Sequence, residues 1–172
     1  MKAAKTFVLV LLLCAAAVAA ASNPQATQSK GVARQSAAKA TSQPAGATLA
    51  TRSGSQGLEV DLVRAGVTGD IFTAELRYRN PTDKPVVLLI PIDEVSYIDD
   101  ASSRRYSVVK DQAGVYMAAP LNPMKKTLLQ TAVMPKKSET VWFKFPAPPA
   151  GSRTVSINIP QVGPFDGIQV QR

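Results

Sequence analysis

Phe72, Ala74, Leu76 and Tyr78 alternate with Thr73, Glu75, Arg77 and Arg79. A two-residue period of this kind fits a strand with one buried face and fits no helix. Asn80-Pro81-Thr82-Asp83-Lys84-Pro85 follows. Each prolyl ring removes a backbone donor and biases its predecessor away from helix, while Asn80 and Asp83 can bond their own backbone, so the chain must turn. The apolar run 86–90 then supplies a second strand. The same alternation of short apolar strands and Pro, Gly or Asx turns recurs downstream, which predicts an antiparallel β-sandwich.

Strands are expected over 58–64, closed by Ala65-Gly66 and Gly69-Asp70, then over 71–79 and 86–90. Pro91 interrupts the next stretch, so 92–98 reads as a bulged continuation or an edge strand. Tyr97 and Tyr106 flank Asp-Asp-Ala-Ser-Ser as cross-strand partners of a hairpin, with 107–110 completing its return strand. Residues 111–123 lose all period and carry Gly114, Pro120 and Pro123, the mark of a long loop and a first candidate contact surface. Further strands are predicted over 127–133, 141–145 and 155–159, with a short edge over 162–170. Seven or eight strands result, and a partly closed barrel is the rival closure.

Ahead of these strands the composition changes. Lys2 and Lys5 precede the apolar run 7–13 and an Ala-rich exit, the form of a secretory signal over 1–21. Residues 22–57 are rich in Ala, Ser, Gln and Thr and have no aromatic residue, so they read as a disordered basic linker. The folded domain is assigned to 58–172. Cys14 is the only cysteine. It leaves with the signal unless it carries a lipid, and the bulky leucines before it argue against lipidation. A periplasmic or secreted location is therefore expected, with lipid anchoring through Cys14 as the alternative.

The net charge of +8 is unevenly placed. Of 20 Lys and Arg, Lys2, Lys5, Lys30, Arg34, Lys39 and Arg52 precede residue 58, leaving 14 against 12 acidic residues in the domain. The basic linker suits weak contact with an anionic envelope surface, and no nucleic-acid partner is expected.

ELRYRNPTDKPV, SYIDDASSRRYSVV and PKKSETVWFKFPAPP with SINIPQVGPF resemble a group of exported bacterial immunoglobulin-like domains. In that group a strand ends in an Asn-Pro-Thr turn, a Tyr-centred hairpin carries adjacent acids, and a Pro-rich bend follows a penultimate aromatic strand. The resemblance spans 58–170. It implies an immunoglobulin-like fold and an accessory role in the cell envelope.

The chain has no histidine, which removes the commonest general base and every Ser-His or Cys-His pair. Ser138 with Lys136 or Lys137 is the one formal nucleophilic pair, set in a solvated turn. Asp93, Glu94, Asp99 and Asp100 are the one acidic concentration, readable as a calcium turn or as a charged hairpin tip. The expectation is no enzyme, no cofactor and no metal. Arg104-Arg105, Lys125-Lys126 and Lys136-Lys137 are paired bases at separate turns, readable as a convergent anion site or as a solvated rim. Trp142 shares a strand face with Lys144, opposite Phe143 and Phe145; exposure would mark it as an interface, coverage as packing. The expected function is a monomeric adaptor that binds another envelope protein through Val115, Tyr116, Met117, Trp142, Arg104 and Arg105, with β-augmentation as a mode. A periplasmic protease inhibitor or small-ligand carrier is the alternative.

Overall fold

The computed structural model describes residues 47–172, and the expected signal, most of the expected linker and Cys14 lie outside them. The described chain is all-β, with antiparallel sheets and no closed barrel. Its strands are β1 (Ala50–Ser53), β2 (Glu59–Thr68), β3 (Ile71–Arg79), β4 (Val86–Pro91), β5 (Ser96–Asp99), β6 (Arg104–Ser107), β7 (Ala118–Ala119), β8 (Leu128–Val133), β9 (Ser138–Pro146), β10 (Thr154–Ile159) and β11 (Gly163–Gln169). They form a five-stranded sheet in the order β1-β2-β3-β9-β7, a four-stranded sheet β11-β10-β5-β6, and a two-stranded ribbon β4-β8.

The period-2 segments fold as their pattern requires. In β3 the residues Phe72, Ala74, Leu76 and Tyr78 are buried, and in β9 Val141, Phe143 and Phe145 are. The two strands pair in continuous register from Ile71↔Pro146 to Arg79↔Ser138, so their inward side chains form one apolar row. The second sheet meets this row from the other side. Tyr97 of β5 lies edge-on to Phe72 at 5.0 Å and to Phe145 at 5.4 Å, and its hydroxyl donates to the Pro146 carbonyl at 2.9 Å. Phe165 of β11 and Ile157 of β10 complete the layer. Two antiparallel sheets thus share one core, a sandwich-like arrangement.

Several boundaries differ from the sequence reading. The domain begins before residue 58: β1 pairs with β2 from Ala50↔Leu62 to Ser53↔Glu59, inside the stretch assigned to linker. Its residues carry no apolar alternation, because β1 is an outer strand held by backbone bonds and by Thr51, whose hydroxyl donates to Asp61 at 2.8 Å. β2 runs on through Ala65 and Gly66 to Thr68, with a bulge between Leu62 and Arg64. The turn at Gly69 then needs φ +57, which glycine adopts without strain. Residues 92–98 are neither a bulged continuation nor one edge strand: Ile92–Glu94 is a 3-10 turn that carries the chain from the ribbon to β5. Among the described residues eleven strands replace the expected seven or eight; β1 and the two-residue β7 were not expected, because neither has an apolar periodicity of its own.

The expected hairpin at Tyr97 and Tyr106 is present. The two residues are register partners with rings stacked at 4.8 Å. The long stretch 111–123 is not free. Met117 N–H donates to Val109 O at 2.8 Å, Ala118 pairs with Phe143, and Leu121 bridges to Leu129.

Candidate interaction surface

Three surfaces emerge from this framework. The first is the outer face of β9. Trp142 lies between its register partners Glu75 of β3 and Ala119 of β7, half-buried, with the Lys144 ammonium 5.3 Å from its ring centre. Met117 O accepts from Lys144 N–H at 2.9 Å, so Met117 adjoins this face. Tyr116 is next in the chain and is covered by the Lys110 ammonium at 4.5 Å. Met117 is thus tied to the strand of Trp142, while Val115 and Tyr116 pack back on the loop through Asp111 and Lys110; all four are partly exposed. Trp142 is neither bare nor sealed.

The second surface is the β6 edge. Arg104 and Arg105 are exposed there, Arg104 with its guanidinium 5.4 Å from the Tyr106 ring. They belong to the four-stranded sheet, whereas Trp142 belongs to the five-stranded one. The paired bases do not gather at one point either. Lys125-Lys126 precede β8 and Lys136-Lys137 follow it, while Arg104-Arg105 sit on β6.

The third surface was missed by sequence reasoning. In β4 burial alternates: Val86, Leu88 and Ile90 are buried, whereas Val87 and Leu89 are exposed. Their β8 partners are Ala132 and Gln130, which puts these four side chains on the outer face of the ribbon. The turn 122–125 folds beside that face. Asn122 Oδ1 accepts from the backbone N–H of Met124 at 2.8 Å and of Lys125 at 2.7 Å. A surface hollow of about 390 Å³ opens between them, lined by Val87, Asn122, Pro123, Met124, Gln130 and Ala132 among others. An unbroken apolar run such as 86–90 gives no sign of which half faces water. The one available clue was the methionine beside each lysine pair, Met124 and Met134.

The perturbed titratable groups serve structure. Asp61 is buried among its partners: Arg79 donates through Nε at 2.8 Å and Nη2 at 3.1 Å, Arg77 through Nη2 at 3.2 Å, and Thr51 from its hydroxyl. The Arg79 contact above all holds the Asp61 carboxyl at about 2, below its ordinary 3.8. Arg79 is raised in return by the same contact. Burial pushes the Tyr78 and Tyr97 hydroxyls up.

At the acidic hairpin Asp99 is buried and accepts from the Ser102 hydroxyl and backbone, contacts that lower its pKa. Asp100 accepts from Ser156 Oγ at 2.8 Å. Asp93 and Glu94 lie on the 3-10 turn, exposed. Among the described residues no three acidic groups converge, so the calcium reading gains no geometry. Lys136, one member of the formal Ser-Lys pair, is held by Asp83 at 3.0 Å and by Pro81 O at 2.6 Å.

Comparison with family models, with curated proteins and with solved structures returned no match. Among the described residues no helix is long and apolar enough to cross a membrane.

Proposed function

We propose that this chain is a non-enzymatic, immunoglobulin-like accessory domain, exported to the cell envelope, that binds another envelope protein as an adaptor. The observation that carries this reading is the concentration of exposed apolar surface on one unit, the β4-β8 ribbon, in a domain whose perturbed carboxylates are engaged with their own neighbours. Contiguous exposed apolar surface on a small domain is a mark of recognition. The two packed antiparallel sheets support the immunoglobulin-like reading. The basic start, apolar run and alanine exit of residues 1–21 support export.

The test is crosslinking in cells that make the full chain, with a photoreactive residue placed in turn at Leu89, Trp142 and Arg105. A specific envelope protein attached from at least one position is the expected result. Absence of any specific adduct from all three overturns the reading. The carrier alternative would use the ribbon hollow, an open depression in the surface. Native mass spectrometry of the purified chain separates the two: a retained small molecule favours a carrier, and a bare monomer favours the adaptor.

A further inference from the structure

Five large hydrophobic side chains are exposed among the described residues, and four of them lie on or beside the ribbon: Val87 (49%), Leu89 (44%), Met124 (93%) and Met134 (52%). They share one side of it. Val87 and Leu89 face outward opposite Ala132 and Gln130, Met124 lines the hollow with Val87, and Met134 follows Ala132 at the next outward position.

Both ends of this surface repeat one chemical pattern. Pro123-Met124-Lys125-Lys126 stands before β8 and Met134-Pro135-Lys136-Lys137 after it. A six-residue strand separates them by roughly 20 Å. Lys84 adds a further exposed cation before β4. Lys84, Lys125, Lys126 and Lys137 make no ion pair among the described residues, and Lys136 is paired with Asp83. Asp93 and Glu94 stand just past the Pro91 end of β4, so five lysines face three carboxylates around the ribbon.

We infer that the outer face of the ribbon docks an acidic, amphipathic segment of another protein. Its apolar side chains enter the hollow between Val87 and Met124, and its carboxylates meet the lysine pairs at the two ends. This deepens the adaptor reading and rests on it. Charge selects the occupant. The chain's own residues 22–46 carry Lys30, Arg34 and Lys39 and no acid, so their charge does not complement the lysines. A second copy stacked face to face sets two net-basic faces against each other, each with five lysines and three carboxylates. An apolar hollow beside a sheet suits inserted side chains better than a bilayer, and methionine side chains adapt to varied apolar partners.

Methionine methyl NMR on the full chain reads the surface directly, because Met124 and Met134 flank the ribbon while Met117 adjoins Trp142. The probes are an eight-residue peptide of alternating Leu and Glu, its Leu-Lys and Ser-Glu counterparts, and phosphatidylglycerol vesicles. The Leu-Glu peptide is expected to shift Met124 and Met134 and leave Met117 in place, with neither counterpart binding. Lys125→Glu with Lys126→Glu, both on an exposed turn, is expected to weaken binding about tenfold or more, which corresponds to ~1.4 kcal/mol. Binding of Leu-Lys equal to Leu-Glu, movement of Met117 alone, binding of vesicles without the peptide, or no movement at all overturns the inference. The adaptor reading is judged separately, by the crosslinks from Trp142 and Arg105.

Discussion

Asp61 shows how one buried carboxylate can organise an exposed sheet face. It is 2% accessible, yet it sits on the face of β2 opposite the core, roofed by the arginines that neutralise it. Arg79 also pairs with Glu59, so two strands and both signs of charge meet at this point. Because the folded pKa is about 2 against 3.8, the carboxylate favours the folded state fully above about pH 4. That contribution, about 2 kcal/mol, disappears as pH falls through 2. Asp61→Asn is therefore expected to lower stability at pH 7 by about 2 kcal/mol. It should also flatten the acid limb of the stability curve between pH 4 and pH 2. Urea unfolding of both proteins at several pH values checks this, and an acid limb unchanged by the substitution contradicts it.

The turn between β3 and β4 is tied to the turn between β8 and β9, and Asn80 makes the tie. Its amide donates to Lys84 O at 2.8 Å and Val133 O at 2.9 Å, and its carbonyl oxygen accepts from Thr82 N–H and the Thr82 hydroxyl. Its backbone pairs with Lys137 O and Lys136 N–H across the gap, which holds Lys136 at φ +58, a conformation costly to a branched-free but non-glycine residue. Asn80 is thus the hinge pin that lets the ribbon leave the large sheet. Asn80→Ala removes the side-chain donors to Val133 O and Lys84 O and the acceptor of the Thr82 N–H, leaving Lys84 O with only the Thr82 hydroxyl at 3.1 Å; it is expected to cost about 2 kcal/mol, read as a shift in the urea midpoint with unchanged slope. A loss within 0.5 kcal/mol, the range of ordinary surface changes, would show that the turn holds without it. The sequence marked this turn because prolines and Asx residues act locally. It gave no sign of the partner turn, since the bonds to Val133, Lys136 and Lys137 join residues more than 50 positions away.

The molecule's pH response follows from its composition. With no histidine and a single cysteine, it has neither a side chain that ordinarily titrates near neutrality nor an intramolecular disulfide. Its melting temperature is expected to vary by less than about 2 °C between pH 5.5 and 7.5, with or without reductant. A larger change in a calorimetric scan would reveal a group titrating in that window. Local chemistry carried much of this protein's design in readable form: the alternation in β3 and β9 set their buried faces, the Tyr97–Tyr106 hairpin announced itself, and the lack of histidine narrowed the chemistry. Those features depend on neighbours one or two positions apart, so the chain alone expresses them. Which strands share a sheet, that residues 118–119 pair with β9, that β1 belongs to the fold, and that Val87 and Leu89 face water were fixed by packing between distant segments. The ribbon surface exists because β4 and β8 pair with each other and only one face of that pair, with Leu88, Ile90, Leu129 and Val133, is taken into the core, and no pattern within residues 86–91 or 128–133 encodes which partners they find.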